Sequence, residues 1–140
     1  MKIYFACSIT GGREEQTIYE ELVDFIQSLG HIVNNAIISK KDILINDRDI
    51  CPEEIYSRDT TWIMDSDVII AEVSTPSHGV GYEIAYGLSK GKHILCCYLG
   101  NKSVSKMILG NPDKNLVKVQ YNDINEIKEE IKQYLQDICK

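Results

Sequence analysis

Apolar positions along the chain fall into two kinds of run. Lys2–Cys7 (KIYFAC), Val68–Val73 (VIIAEV), His93–Leu99 (HILCCYL) and Leu116–Gln120 are short and apolar with little alternation. That pattern predicts strands buried on both faces, and Ile32-Val33 opens a further, weaker one. Between the strands the spacing becomes helical. Ile18, Leu22, Phe25, Ile26 and Leu29 share one face and Gly30 follows as a stop. Pro52 with Glu53 and Glu54 starts a second helix that runs to about Met64. A third spans Val80–Lys90 before Gly91, a short one Ser103–Leu109, and the last carries Ile124, Ile127, Ile131, Leu135 and Ile138 on one face. Residues 36–51 show no period and read as a long loop with room for a turn of helix.

Strand and helix therefore alternate five times. The expected fold is one α/β domain over residues 1–140, flavodoxin-like or Rossmann-like. It has helices on both faces of a five-stranded parallel sheet, ordered 2-1-3-4-5. Ligands of such sheets bind beyond the carboxyl ends of the strands. The loops at that edge are residues 8–12, 74–79 and 99–105.

Composition narrows the partners. A net charge of −6 leaves no basic face for a nucleic-acid polymer. A single phosphate can still be held by amides and hydroxyls. No run approaches the length of a membrane span, and the apolar start is too short for a signal peptide. Cys7, Cys51, Cys96, Cys97 and Cys139 form no metal-ligand spacing, and three lie in strand-like runs. This reads as a cytoplasmic protein with reduced thiols and no metal. His31, His78 and His93 also lack metal spacing.

Two carboxylates stand out. Glu83 falls near the start of the helix that follows the central strand, at the ligand edge, with Gly79 and Gly81 leaving room for a ligand. The positive field of that helix end is expected to keep it ionised, which suits a nucleophile. Acids are also common in helix first turns for no catalytic reason. Asp59 shares a helical face with Ile55, Trp62 and Ile63, a stripe expected to be buried. It is therefore either functional or part of a core salt bridge or cap. Glu72, inside VIIAEV, is a reserve candidate that could instead bond a backbone edge. The loop Ser8-Ile9-Thr10-Gly11-Gly12-Arg13 opens a helix and could cradle a phosphate, and Ser77 and Ser105 add hydroxyls at the same edge.

The segments YFACSITGGR (Tyr4–Arg13), RDTTWI (Arg58–Ile63), SDVIIAEVSTPSHGVGYEIAYG (Ser66–Gly87) and SKMILG (Ser105–Gly110) together resemble the 2′-deoxynucleoside 5′-phosphate N-hydrolases. These are a branch of the nucleoside 2-deoxyribosyltransferase family. By that resemblance Glu83 is the nucleophile at C1′ of the deoxyribose. Asp59 assists protonation of the leaving base, and Tyr4 lines the sugar pocket. Ser8, Ser77 and Ser105 bind the 5′-phosphate, with Ser105 supplied by the partner of a homodimer. The resemblance implies neither a metal nor an organic cofactor. Two positions depart from the pattern. Thr10 stands where an arginine is frequent, and Asn35 or Ala36 where better-known members have a histidine.

The implied activity is hydrolysis of a deoxynucleoside 5′-monophosphate to free base and 2-deoxyribose 5-phosphate through a covalent glutamyl sugar. The rivals are a nucleoside 2-deoxyribosyltransferase and a non-catalytic nucleotide-binding module. Transferases resemble one another in carrying an acid at the position of Ser77, where a serine instead suits a phosphate.

Overall fold

The computed structural model describes residues 1–9, 12, 14–40 and 49–140. Five strands form one parallel sheet: β1 (Lys2–Ala6), β2 (Ile32–Val33), β3 (Val68–Glu72), β4 (His93–Leu99) and β5 (Leu116–Tyr121). Their order is β2-β1-β3-β4-β5, as the alternation of elements predicts. Among the described residues the α-helices are α1 (Gln16–Ser28), α2 (Pro52–Asp65), α3 (His78–Ser89), the single turn α4 (Lys106–Leu109) and α5 (Ile124–Ile138). Ala36–Ser39 forms a turn of tight helix at the start of the loop expected over residues 36–51, of which residues 41–48 lie outside the described residues.

Alternate strand residues feed two cores. Ile3, Phe5, Val68, Ile70, Leu95 and Cys97 face Tyr19, Leu22 and Ile26 of α1 and Ile127, Ile131 and Leu135 of α5. Tyr4, Ala6, Ile69, Ala71, Ile94 and Cys96 face Ile63 of α2 and Val80 and Ile84 of α3. This is why β1, β3 and β4 read as near-continuous apolar runs. Helix α3 sits close on the sheet through Gly87, where an added Cβ would lie 2.3 Å from Ile69 Cδ1. That approach brings the amino end of α3 over the carboxyl ends of β1 and β3.

Strand β2 is short, and a side chain extends its pairing. Asn35 is fully buried, and its amide exchanges two 2.8 Å hydrogen bonds with the backbone N–H and C=O of Phe5. The position near the missing histidine is thus committed to the sheet.

Candidate active site

Helix α3 starts two residues earlier than its apolar pattern predicts, because Ser77 caps it by accepting from the Val80 amide at 3.3 Å. Glu83 is consequently the sixth helical residue. It lies past the first turn, where the field of a helix end acts. Its environment is set by its neighbours instead. Burial pushes its carboxyl up to about 8; the Tyr4 hydroxyl lowers it and the charge of Asp59 raises it further. The expectation that the helix field sets the ionisation of Glu83 is therefore corrected: burial dominates and raises its carboxyl above the ordinary value.

Tyr4 comes from the buried strand β1 and donates to Glu83 Oε1 at 2.8 Å. Its own hydroxyl is pushed well above the usual range, by burial first and then by Glu83 and Asp59, so it remains a donor. Replacing it with phenylalanine removes a hydrogen bond that favours ionised Glu83. In Tyr4→Phe the ionisation that limits kcat/KM should move upward by about one pH unit, equivalent to ~1.4 kcal/mol. A pH profile of kcat/KM for both proteins checks this. An unshifted profile would separate Tyr4 from the ionisation of Glu83.

Asp59 reaches the same place from α2. The expected buried stripe is only partly buried: Ile63 is enclosed, whereas Ile55, Asp59 and Trp62 are half-buried. The reason is that Ile55, Asp59 and Ile63 line a cavity of about 550 Å³ between α2 and α3, together with Ser77, Gly79 and Glu83. Asp59 Oδ1 accepts from the Arg58 side chain (Nε) at 2.8 Å, and the Arg58 guanidinium lies 4.8 Å over the Trp62 ring. Tyr56 and Tyr82 meet edge to face at 6.1 Å across the cavity wall. Arg58 and these tyrosines escaped the sequence reading. Their only signal was adjacency to Asp59 and Glu83.

The hydroxyls are distributed unevenly. Ser77 lines this cavity and also a second one of about 420 Å³ on the other side of the amino end of α3. Ser105 lines only the second, is exposed, and caps α4 by accepting from the Met107 amide at 3.2 Å. Ser8 is buried, its hydroxyl has no hydrogen-bond partner among the described residues, and it lines neither cavity, while its neighbour Ile9 lines the first. Thr10 and Gly11 lie outside the described residues; Gly12 follows with φ +120°, a conformation that suits glycine. One chain thus brings together Glu83, Asp59, Ser77, Gly79 and Ile9, with Tyr4 beneath them, and leaves Ser105 apart.

Glu72 takes the alternative role. It is fully buried and accepts from the Ser74 amide and hydroxyl and from the Tyr121 hydroxyl at 3.1 Å. Burial nevertheless raises it to about 7. It lines neither cavity and ties the start of the β3–α3 loop to β5. Among the described residues no group of three His, Cys, Asp or Glu side chains could hold a metal ion. No helix of the described residues is long and apolar enough to cross a membrane.

Residues 3–131 match the family model described as nucleoside 2-deoxyribosyltransferase. A 5-hydroxymethyl-dUMP N-hydrolase of Danio rerio is 36% identical over 146 residues, covering 100% of this chain and 99% of its own. A Methanosarcina barkeri protein, provisionally named 2′-deoxynucleoside 5′-phosphate N-hydrolase 1, is 37% identical, covering 96% of this chain and 84% of its own. Among solved structures, a CMP N-glycosidase of Clostridium botulinum shares the fold with a TM-score of 0.75 at 22% identity. The overlap covers 96% of this chain and 99% of that one. A 2-deoxyribosyltransferase of Bacillus psychrosaccharolyticus does so with a TM-score of 0.66 at 15% identity, over 91% and 90% of the two chains.

Proposed function

The chain belongs to the nucleoside 2-deoxyribosyltransferase family, and from that premise we propose that it hydrolyses the N-glycosidic bond of 2′-deoxynucleoside 5′-monophosphates. The observation that carries the reading is one cavity in which Glu83, held by Tyr4, faces Asp59, with Ser77 at the amino end of the same helix. The names of relatives at 36% and 37% identity support the substrate class.

In the proposed reaction the Glu83 proton passes to the Asp59 carboxylate, and ionised Glu83 then attacks C1′ as the C1′–N bond breaks. The bond's electron pair leaves with the base, which takes up a proton from the carboxyl of Asp59. A water then adds to C1′, its proton returns to Asp59, and the ester bond to Glu83 breaks. The products are free base and 2-deoxyribose 5-phosphate, with configuration retained. The absent 2′-hydroxyl leaves the oxocarbenium-like transition state easier to reach. Intact mass measurement of acid-quenched protein tests this. It should show an added 2-deoxyribosyl 5-phosphate group during turnover with a monophosphate, and none in Glu83→Gln. A quenched sample with no adduct, under conditions where chemistry outpaces water attack, would count against the covalent route.

Ser77 favours the hydrolase of monophosphates over a transferase of nucleosides. It accepts from Val80, which leaves its hydroxyl proton to be donated to an anion. A further part of the proposal is a cytoplasmic homodimer in which Ser105 completes the neighbouring site. It is supported by the apolar surface of α4, where Met107 is 84% and Leu109 38% exposed. Mixing inactive Glu83→Gln with Ser105→Ala protein checks it. Random re-pairing should give about a quarter of the wild-type complement of sites, with intact Glu83 facing intact Ser105. A mixture no better than the mean of the two proteins would rule the shared site out.

A further inference from the structure

We propose that Glu15 is a positioning residue for the anion ligands: through one buried carboxylate it ties together the chain beside Ser8 and Ser77 of its own site and the chain beside Ser105, which serves the neighbouring one. The proposal rests on reading Ser8, Ser77 and Ser105 as anion ligands. Glu15 occupies the cap position of α1, yet its side chain makes no capping hydrogen bond to that helix. It turns away and is only 5% exposed. One oxygen accepts from the Thr75 hydroxyl, across 60 residues of chain. The other meets the Lys102 ammonium at 3.0 Å. Lys102 also bonds Glu14 at 2.7 Å.

Each partner stands just before a serine of interest. Thr75 precedes Ser77 by two residues, Lys102 precedes Ser105 by three, and Glu15 itself follows the Ser8–Arg13 loop. The loops are in contact here as well: a Cβ on Gly12 would lie 3.6 Å from Thr75 Cγ2. Taken alone, a carboxylate beside an anion site weakens anion binding by like charge. Among the described residues two carboxylates meet one ammonium here, so charge attraction does not explain the placement of Glu15. Position does. With both oxygens occupied by Thr75 and Lys102, Glu15 ties the start of α1 to the β3–α3 and β4–α4 loops. The hydroxyls they carry are thereby set before the ligand arrives.

The experiment compares a deoxynucleoside 5′-monophosphate with its unphosphorylated deoxynucleoside in wild type, Glu15→Gln, Lys102→Met and Lys102→Arg. A positioning role for the phosphate end predicts that Glu15→Gln and Lys102→Met lower the monophosphate-to-nucleoside ratio of kcat/KM about tenfold. The loss should appear as raised KM for the monophosphate more than as lowered kcat, and Lys102→Arg should keep most of the ratio. Thr75→Val removes only a hydroxyl and serves if Glu15→Gln does not fold; it should lower the ratio in the same way. A selective wild type whose ratio is unmoved in the variants, or variants that lose both substrates equally, would overturn the role of Glu15 alone. A wild type that turns over both substrates alike would overturn the phosphate reading and this proposal with it.

Discussion

Glu83→Gln should lose at least about a thousandfold in base release, or ~4 kcal/mol of barrier, while remaining folded and still binding nucleotide. An amide cannot form the sugar ester, and Glu83 is the carboxyl that Tyr4 holds in the cavity. The fold should survive for an electrostatic reason. Glu83 is raised to about 8 in the folded protein against an ordinary carboxyl value of 4.5. A carboxyl shifted upward contributes stability that is fully present below the unfolded value and is lost as pH rises through the folded one. Wild-type stability should therefore fall between about pH 4.5 and 8, by up to ~1.4 kcal/mol per pH unit from this group. Glutamine, permanently neutral and able to accept from Tyr4, should flatten that slope. Glu72, raised to about 7, adds a second contribution of the same sign that persists in the variant. Chemical denaturation at several pH values, beside a base-release assay, measures both effects. More than about a tenth of wild-type turnover would remove Glu83 from the nucleophile's role, since that is a loss of only ~1.4 kcal/mol.

Ser77→Asp should invert much of the preference for a phosphorylated substrate. Each charge-assisted hydrogen bond to a phosphate contributes roughly 1.5–3 kcal/mol. Two or three such bonds should favour the monophosphate over the nucleoside by roughly a hundredfold in kcat/KM, after discounting for non-additivity. An aspartate at the mouth of the cavity sets like charge against the phosphate dianion. It can still cap α3, since it also accepts from the Val80 amide. The monophosphate should lose most of its advantage while the nucleoside is spared. Equal losses on both substrates would show that Ser77 serves the fold rather than the phosphate.

Much of the fold was legible because its signals are local. The apolar face of Ile18, Leu22, Phe25 and Ile26 in α1 and the unbroken apolar runs of β3 and β4 follow from burial, and the start of α2 from Pro52 at its first position. Alternation with right-handed crossovers then narrowed the sheet to a few doubly wound orders, and the expected one is the one observed. The start of α3 was misread because apolar periodicity begins at Val80, whereas Ser77 captures that residue's amide and winds the helix back to His78. The site was legible as oddities: a carboxylate on an apolar stripe, and another after a glycine-rich turn. Its wiring was not. Tyr4 and Glu83 are 79 residues apart, and Glu15 and Thr75 are 60 apart. No spacing rule connects pairs that only the folded sheet edge brings together. The ionisation of Glu83 was misjudged for the same reason, since the burial that sets it is a tertiary property.

The central claim is hydrolysis of a phosphorylated deoxynucleoside, and product analysis of the purified protein tests it most directly. A deoxynucleoside 5′-monophosphate and its deoxynucleoside are incubated separately, each with and without an added free base. The account predicts release of free base and 2-deoxyribose 5-phosphate from the monophosphate, at a rate the added base does not change, with little turnover of the nucleoside. Faster turnover of the nucleoside, with a new nucleoside formed from the added base, would contradict it.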